Sequence, residues 1–90
     1  MRVVLHHLAE KYYMRLNASD RGRIEAVVKG LEKEPPEGDI VPYKGTRGTF
    51  RLKTGGGFRL LFTVEESMIK VTYIERRGQA YAKKTKKKRG

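Results

Sequence analysis

The sequence is 90 residues long and carries 21 lysines and arginines against 10 aspartates and glutamates, a formal charge of +11. A chain of this length can bury one modest core, so a single domain is expected, and the lack of a long apolar run or secretory signal argues against membrane insertion or export. The absence of cysteine excludes disulfides and thiolate metal sites and fits a reducing cytoplasm. The net charge predicts attraction to a polyanion such as nucleic acid or an acidic protein.

The positive charge is concentrated in the second half of the chain. Residues 1–36 hold seven basic and five acidic side chains, whereas residues 37–90 hold fourteen basic and five acidic side chains. The polyanion site is therefore expected in the second half.

The first half predicts one strand and two helices. Arg2 to His6 is rich in apolar and β-branched residues, which favours a strand. Leu8 to Leu16 repeats apolar and aromatic residues at helical spacing, and Ser19 to Glu34 has the pattern of an amphipathic helix. Ser19 is the expected N-cap of that helix, which must end before Pro35-Pro36 because proline cannot continue it.

Two runs of alternating side chains meet across Gly55-Gly56-Gly57, the pattern of a β-hairpin whose turn needs glycine backbone angles. The strands are predicted at Phe50–Thr54 and Phe58–Val64. Successive strand residues point to opposite faces, so the residues expected to face the core are Phe50, Leu52, Phe58, Leu60 and Phe62. The residues expected on the opposite face are the cations Arg51, Lys53 and Arg59.

A third strand is predicted at Met68–Glu75, which completes an antiparallel meander. Regular alternation turns Ile69, Val71 and Tyr73 toward the core and brings Arg76 to the cationic face. Residues 37–48 are rich in glycine, proline and polar residues and are predicted mostly as loop, with a brief extended piece at Ile40-Val41.

The end of the chain is strongly basic. Residues 77–84 are predicted as a short helix that carries Tyr81, and residues 85–90 as a disordered tail, so the domain is expected to span residues 1–84. The predicted fold class is α+β: a small, mainly antiparallel sheet, built from the N-terminal strand and the meander, packed on an N-terminal helical hairpin, with a short C-terminal helix. His6 and His7 are neighbours on a strand and are not expected to share a metal.

The order and spacing of these segments resembles the RelE/ParE superfamily of bacterial and archaeal toxins, most strongly its RelE-type mRNA interferases. The segments that carry the resemblance, besides the opening strand and the helical hairpin, are Phe50-Arg51-Leu52-Lys53, Gly57-Phe58-Arg59-Leu60-Leu61-Phe62, Ile74-Glu75-Arg76-Arg77 and Tyr81. The resemblance to this superfamily covers nearly the whole chain.

The resemblance implies an active site of basic residues and one tyrosine, namely Arg51, Lys53, Arg59, Arg76 and Tyr81. Lys53 is the better candidate for proton abstraction, because a guanidinium stays charged near neutral pH. The interval between the last strand and Tyr81 differs by about one residue from the family pattern, so Arg76 and Arg77 are alternatives for one position. The further cations expected to contact ribosomal or messenger RNA are Lys44, Arg47, Arg77, Lys83 and Lys84.

The implied activity is ribosome-dependent cleavage of mRNA without a metal or cofactor. The ribose 2′-hydroxyl attacks the adjacent phosphate, and positioned cations stabilise the charge that develops on the phosphate oxygens. The implied partners are an acidic antitoxin protein, the ribosome with its RNA, and mRNA, with no membrane involved.

Two other functions are compatible with the sequence. One is a ParE-type toxin, which uses the same scaffold to bind DNA gyrase; the retained basic residues and Tyr81 favour the nuclease over it. The other is a non-catalytic RNA-binding module with a cationic sheet face. Exposed aromatic residues among the cations are scarce on the predicted open face, which counts against that module.

Overall fold

The computed structural model describes residues 1–77. Two helices and a five-stranded sheet follow the chain in the order β1 (Arg2–Leu5), α1 (His7–Arg15), α2 (Ala18–Leu31), β2 (Asp39–Pro42), β3 (Thr49–Lys53), β4 (Phe58–Glu65) and β5 (Met68–Arg76). The strand order in the sheet is β1-β5-β4-β3-β2. Strands β2 to β5 pair antiparallel, and β1 lies at one edge, parallel to β5. The predicted α+β class and the predicted meander are confirmed.

The apolar core lies between the two helices and one face of the sheet. Alternating residues of β3, β4 and β5 are buried there, as the alternation predicts. The helices contribute Ala9, Ile24 and Leu31, and the strands contribute Leu52, Phe58, Leu60, Phe62, Ile69, Val71 and Ile74. Phe50 is partly buried and stacks on Phe62, with the ring centroids 5.5 Å apart. We call the other side of the sheet the open face.

Both ends of α2 differ from the sequence prediction. The N-cap is Asn17 and not Ser19, because the Asn17 Oδ1 accepts a hydrogen bond of 2.8 Å from the Asp20 backbone N–H. The helix ends at Leu31, three residues before the predicted end. Its last turn is closed by the Glu37 N–H, which donates to the Gly30 carbonyl at 2.9 Å.

Two shorter segments also differ. His6 leaves the strand and caps α1, with its Nδ1 accepting from the Leu8 N–H at 3.4 Å. The brief extended piece at Ile40-Val41 is part of strand β2, which pairs with β3 over four residues and extends the sheet beyond the meander. Within residues 1–77, neither helix is long and apolar enough to cross a membrane.

A β-bulge in β5 overturns the predicted alternation. Phe62 is paired with Val71 and Leu61 with Tyr73, so Thr72 is an extra residue without a cross-strand partner. Such an insertion moves every later side chain to the opposite face. Ile74 is consequently buried and Tyr73 is exposed. The prediction that Tyr73 faces the helices is therefore wrong, and so is the prediction that Arg76 joins the cationic face.

Candidate functional site

Four cations line one cleft of about 260 Å³ where the glycine turn joins β3 to β4. We call this cleft the cationic pocket; its basic side chains are Arg51, Lys53, Arg59 and Arg77. Four positive charges around so small a volume attract an anion and discourage a cation. The pocket is the strongest candidate for a functional site among residues 1–77.

The hairpin register places the first three cations. Lys53 is directly opposite Arg59, and Arg51 is opposite Leu61. The hairpin closes through the Thr54 N–H, which donates to the Phe58 carbonyl at 3.0 Å. Gly56 and Gly57 then have φ of 82° and 84°, a region that side chains with a Cβ rarely adopt. The glycines therefore let the backbone reverse directly beside the cations.

Arg59 has a carboxylate partner that alternation alone does not predict. Glu75 is directly opposite Arg59 on β5, and its Oε2 accepts a hydrogen bond from the Arg59 Nη2. Both side chains are mostly buried, which favours the paired geometry. The Nε atoms of Arg51 and Arg59 are also buried and have no acceptor among the described residues. The pocket thus contains positioned cations whose hydrogen-bonding capacity is not saturated.

Arg76 lies on the other side of the sheet. Its Nη1 is 3.3 Å from the Asp20 Oδ2, its Nε donates to the Gly56 carbonyl at 3.2 Å, and its guanidinium carbon is 4.7 Å from the centroid of the Phe58 ring. Asp20 is almost fully buried, and Arg23 approaches its other oxygen at 3.9 Å. Arg76 therefore joins the start of α2 to the glycine turn and the end of β5.

Arg77 replaces Arg76 in the pocket. The sequence left these two arginines as alternatives, and the bulge decides between their positions, because Glu75 and Arg77 share the open face while Arg76 shares the helix face with Ile74. Sequence reasoning missed Glu75 for the same reason. A bulge at Thr72 has no sequence signal in this chain, since regular alternation fits the residues almost equally well.

The other predicted site residues are not brought into the pocket. Lys44 and Arg47 are exposed in the loop between β2 and β3, at the opposite end of β3 from the glycine turn. Tyr81, Lys83 and Lys84 lie outside the described residues, as do most of the predicted C-terminal helix and all of the predicted tail.

Tyr12 of α1 packs beneath the pocket on the helix side. Its ring meets the Phe58 ring edge-on, with the centroids 6.5 Å apart. Burial raises the pKa of the Tyr12 phenol, and nearby Arg76 partly opposes that rise. A neutral phenol is therefore favoured under the end of the sheet that carries the pocket.

The fold is similar to solved RelE structures. The isolated RelE toxin of E. coli superimposes with a TM-score of 0.71 at 16% sequence identity, over 96% of each chain. The RelB-RelE antitoxin-toxin complex from Methanococcus jannaschii contains a chain with a TM-score of 0.64 at 15% identity, over 91% of the present chain and 96% of the other. No protein-family model and no curated protein matches the sequence. At these identities the similarity establishes the fold.

Proposed function

We propose that this chain, which has the fold of the RelE toxins, is the toxin of a toxin-antitoxin system and cleaves mRNA on the ribosome. The observation that carries the proposal is the convergence of Arg51, Lys53, Arg59 and Arg77 around one cleft. The cleft lies on the sheet face that the helices leave open, where an RNA strand can reach it. The proposed site therefore keeps three of the cations expected from the sequence, takes Arg77 in place of Arg76, and retains Tyr81 as expected.

The proposed reaction uses the RNA, the side chains of the site and one proton from solvent. The 2′-oxygen forms a bond to the adjacent phosphorus while the bond from phosphorus to the 5′-oxygen breaks, which leaves a 2′,3′-cyclic phosphate and a 5′-hydroxyl. The Lys53 amine takes the proton of the 2′-hydroxyl, and the 5′-oxygen takes up a proton from solvent. Tyr81 is proposed to orient a base of the bound message.

The arginines are assigned to charge stabilisation. Negative charge grows on the phosphate oxygens in the transition state, and guanidinium groups placed at those oxygens stabilise it more than the ground state. Arg59 is the central residue, because its pairing with Glu75 fixes the direction of its guanidinium before RNA binds. Arg51 and Arg77 flank it.

Single-turnover cleavage of mRNA on purified ribosomes tests the proposal. Arg59→Ala should reduce the cleavage rate by about 100-fold or more, the scale for the loss of one transition-state donor. The matched control is Lys11→Ala, which removes one exposed positive charge from α1 and should leave the rate unchanged. If the unmodified protein binds ribosomes without cleaving message, a non-catalytic RNA-binding module is favoured. If folded Arg59→Ala cleaves normally, Arg59 is not the central residue of the site.

The proposed partner is an acidic antitoxin that covers the cationic pocket. The charge of +11 and the RelB-RelE complex of the archaeal structural neighbour support this part of the proposal. An interface dominated by opposite charges weakens as salt screens it. Calorimetry with a candidate antitoxin, a small acidic protein encoded beside this chain, should therefore give a Kd that rises with ionic strength. An affinity that does not change with salt would contradict an electrostatic interface.

A further inference from the structure

We propose that Tyr73 is a stacking platform for a nucleobase of bound single-stranded RNA, beside the cationic pocket. This inference rests on the proposed function but concerns a residue that the catalytic assignment does not use. It begins from the bulge in β5, which turns an aromatic side chain away from the core and leaves it 45% exposed.

The bulge is specifically stabilised. The Thr72 Oγ1 donates to the Leu61 carbonyl at 3.2 Å, which satisfies a backbone acceptor at the point where the strand pairing shifts. Without the bulge, regular alternation would bury the Tyr73 ring beside Val71, and burial of a large ring is favourable. Bulges often re-aim a side chain near a functional site. The exposed position of Tyr73 is thus built into the sheet.

Tyr73 lies next to the pocket. It precedes Glu75 by two residues on the same face, which is about 7 Å along the strand, and Glu75 is paired with the pocket residue Arg59. On β4 the cross-strand partner of Tyr73 is Leu61, which is half-buried and in turn faces Arg51 on β3. An aromatic and apolar row therefore runs directly beside the row of cations.

This arrangement has the two components that bind single-stranded nucleic acid. Cations follow the phosphates, and an exposed ring stacks on a base regardless of its identity. Among the described residues, Tyr73 makes no ring contact with another aromatic side chain. The other strongly exposed tyrosine of this part of the chain is Tyr43, in the loop at the far end of β3. Tyr73 supplies the exposed aromatic residue that the predicted open face lacked.

The chain contains no tryptophan, so Tyr73→Trp creates a unique fluorophore at the proposed platform. The probe is a short single-stranded RNA with 2′-O-methyl groups, which cannot be cleaved by 2′-hydroxyl attack. In the full chain, we expect the free variant to show the emission of an exposed indole. Added RNA should quench this emission, and the Kd from the quenching titration should equal the Kd measured by anisotropy of the labelled RNA. Met14→Trp on α1 is the matched control, at 67% exposure in the unmodified chain, and should be quenched much less.

Three results would overturn the inference. RNA that binds by anisotropy without quenching Tyr73→Trp rejects the platform and leaves the proposed nuclease intact. Blue-shifted emission in the free protein shows that the position is covered. Failure of the unmodified protein to bind this RNA rejects the platform, whereas failure to cleave message on ribosomes separately rejects the proposed nuclease.

A second pair of variants tests the contribution of the ring. Tyr73→Phe keeps an aromatic face and should bind the same RNA within about 2-fold of the unmodified protein, whereas Tyr73→Ala should bind about 5- to 150-fold more weakly, the range for loss of one stacked base. Because Tyr73 is exposed, both variants should melt close to the unmodified protein. Equal affinities for Tyr73→Ala and Tyr73→Phe would contradict a stacking role.

Discussion

The two neighbouring arginines at the end of β5 should have opposite roles. Replacing Arg76 by glutamine removes the positive partner of Asp20, whose side chain is 10% exposed. Breaking a buried ion pair on one side costs about 3–5 kcal/mol. Two features of this pair lower that cost. Arg23 remains 3.9 Å from the Asp20 carboxylate, and the Arg76 side chain is 37% exposed, so solvent screens the interaction. The loss of the Arg76–Asp20 ion pair should therefore cost about 2 kcal/mol.

Two further contacts are lost with Arg76. The cation–π contact with Phe58 is worth roughly 0.5–1 kcal/mol at a partly exposed site, and the hydrogen bond to the Gly56 carbonyl contributes on the order of 1 kcal/mol. Arg76→Gln should therefore lower the free energy of unfolding by about 3.5 kcal/mol. For a domain of this size, that corresponds to a fall in Tm of about 14–28 °C. Arg77→Gln should leave Tm unchanged, because Arg77 is exposed.

The assay measures urea unfolding and single-turnover mRNA cleavage for both variants. We expect Arg77→Gln to be stable and at least tenfold slower in cleavage, and Arg76→Gln to be unstable but active at a temperature where it is folded. A double-mutant cycle with Asp20→Asn should give a coupling energy of about 1–2 kcal/mol between the two partners. A stable, inactive Arg76→Gln together with an active Arg77→Gln would refute the reasoning.

Three other variants probe features described above. Glu75→Gln removes the only carboxylate seen to pair with Arg59 in residues 1–77, and should tighten binding of inorganic phosphate by about 3-fold or more at low salt, measured by calorimetry; weaker binding would show that Glu75 chiefly orients the guanidinium. Asn17→Ala should cost about 1 kcal/mol in urea unfolding through loss of the α2 cap, and Ser19→Ala should cost little, so equal costs would contradict the cap assignment. Burial raises the pKa of Tyr12 above 10.0, so its contribution to stability is full below pH 10 and falls as pH rises through the raised pKa. Tyr12→Phe should reduce this loss of stability at high pH in a pH series of unfolding measurements. An unchanged slope would show that the Tyr12 phenol does not cause the loss.

Local patterns predicted the elements on which the pocket is built. The glycine turn, the alternation of β3 and β4 and the apolar repeat of α2 each express one physical preference over a few residues, and the structure follows them. The sequence therefore predicts three of the four pocket cations on the open face, where they lie.

The errors on β5 have a common cause, since they depend on contacts between distant parts of the chain. Thr72 is an extra residue because Val71 pairs with Phe62 while Tyr73 pairs with Leu61, which buries Ile74 in the core. The sequence of β5 alone does not show which of the two alternations the strand adopts. The N-cap error is local: Asn17 and Ser19 are both good capping residues, and the sequence pattern alone does not decide between them. Arg76, Arg77, Glu75 and Tyr73 all changed face with the single bulge.

The parallel pairing of β1 with β5 has a consequence for synthesis of the protein. β5 lies between β1 and β4 in the sheet, so the first strand to leave the ribosome has no neighbour until the last described strand has emerged. Contacts between segments so distant in the chain form slowly, because the intervening loop must first be closed. Arg77 also follows β5 directly. The cationic pocket is therefore completed only after β5 has been synthesised, and a nascent chain that stops before Met68 has neither the partner strand of β1 nor the full set of pocket charges.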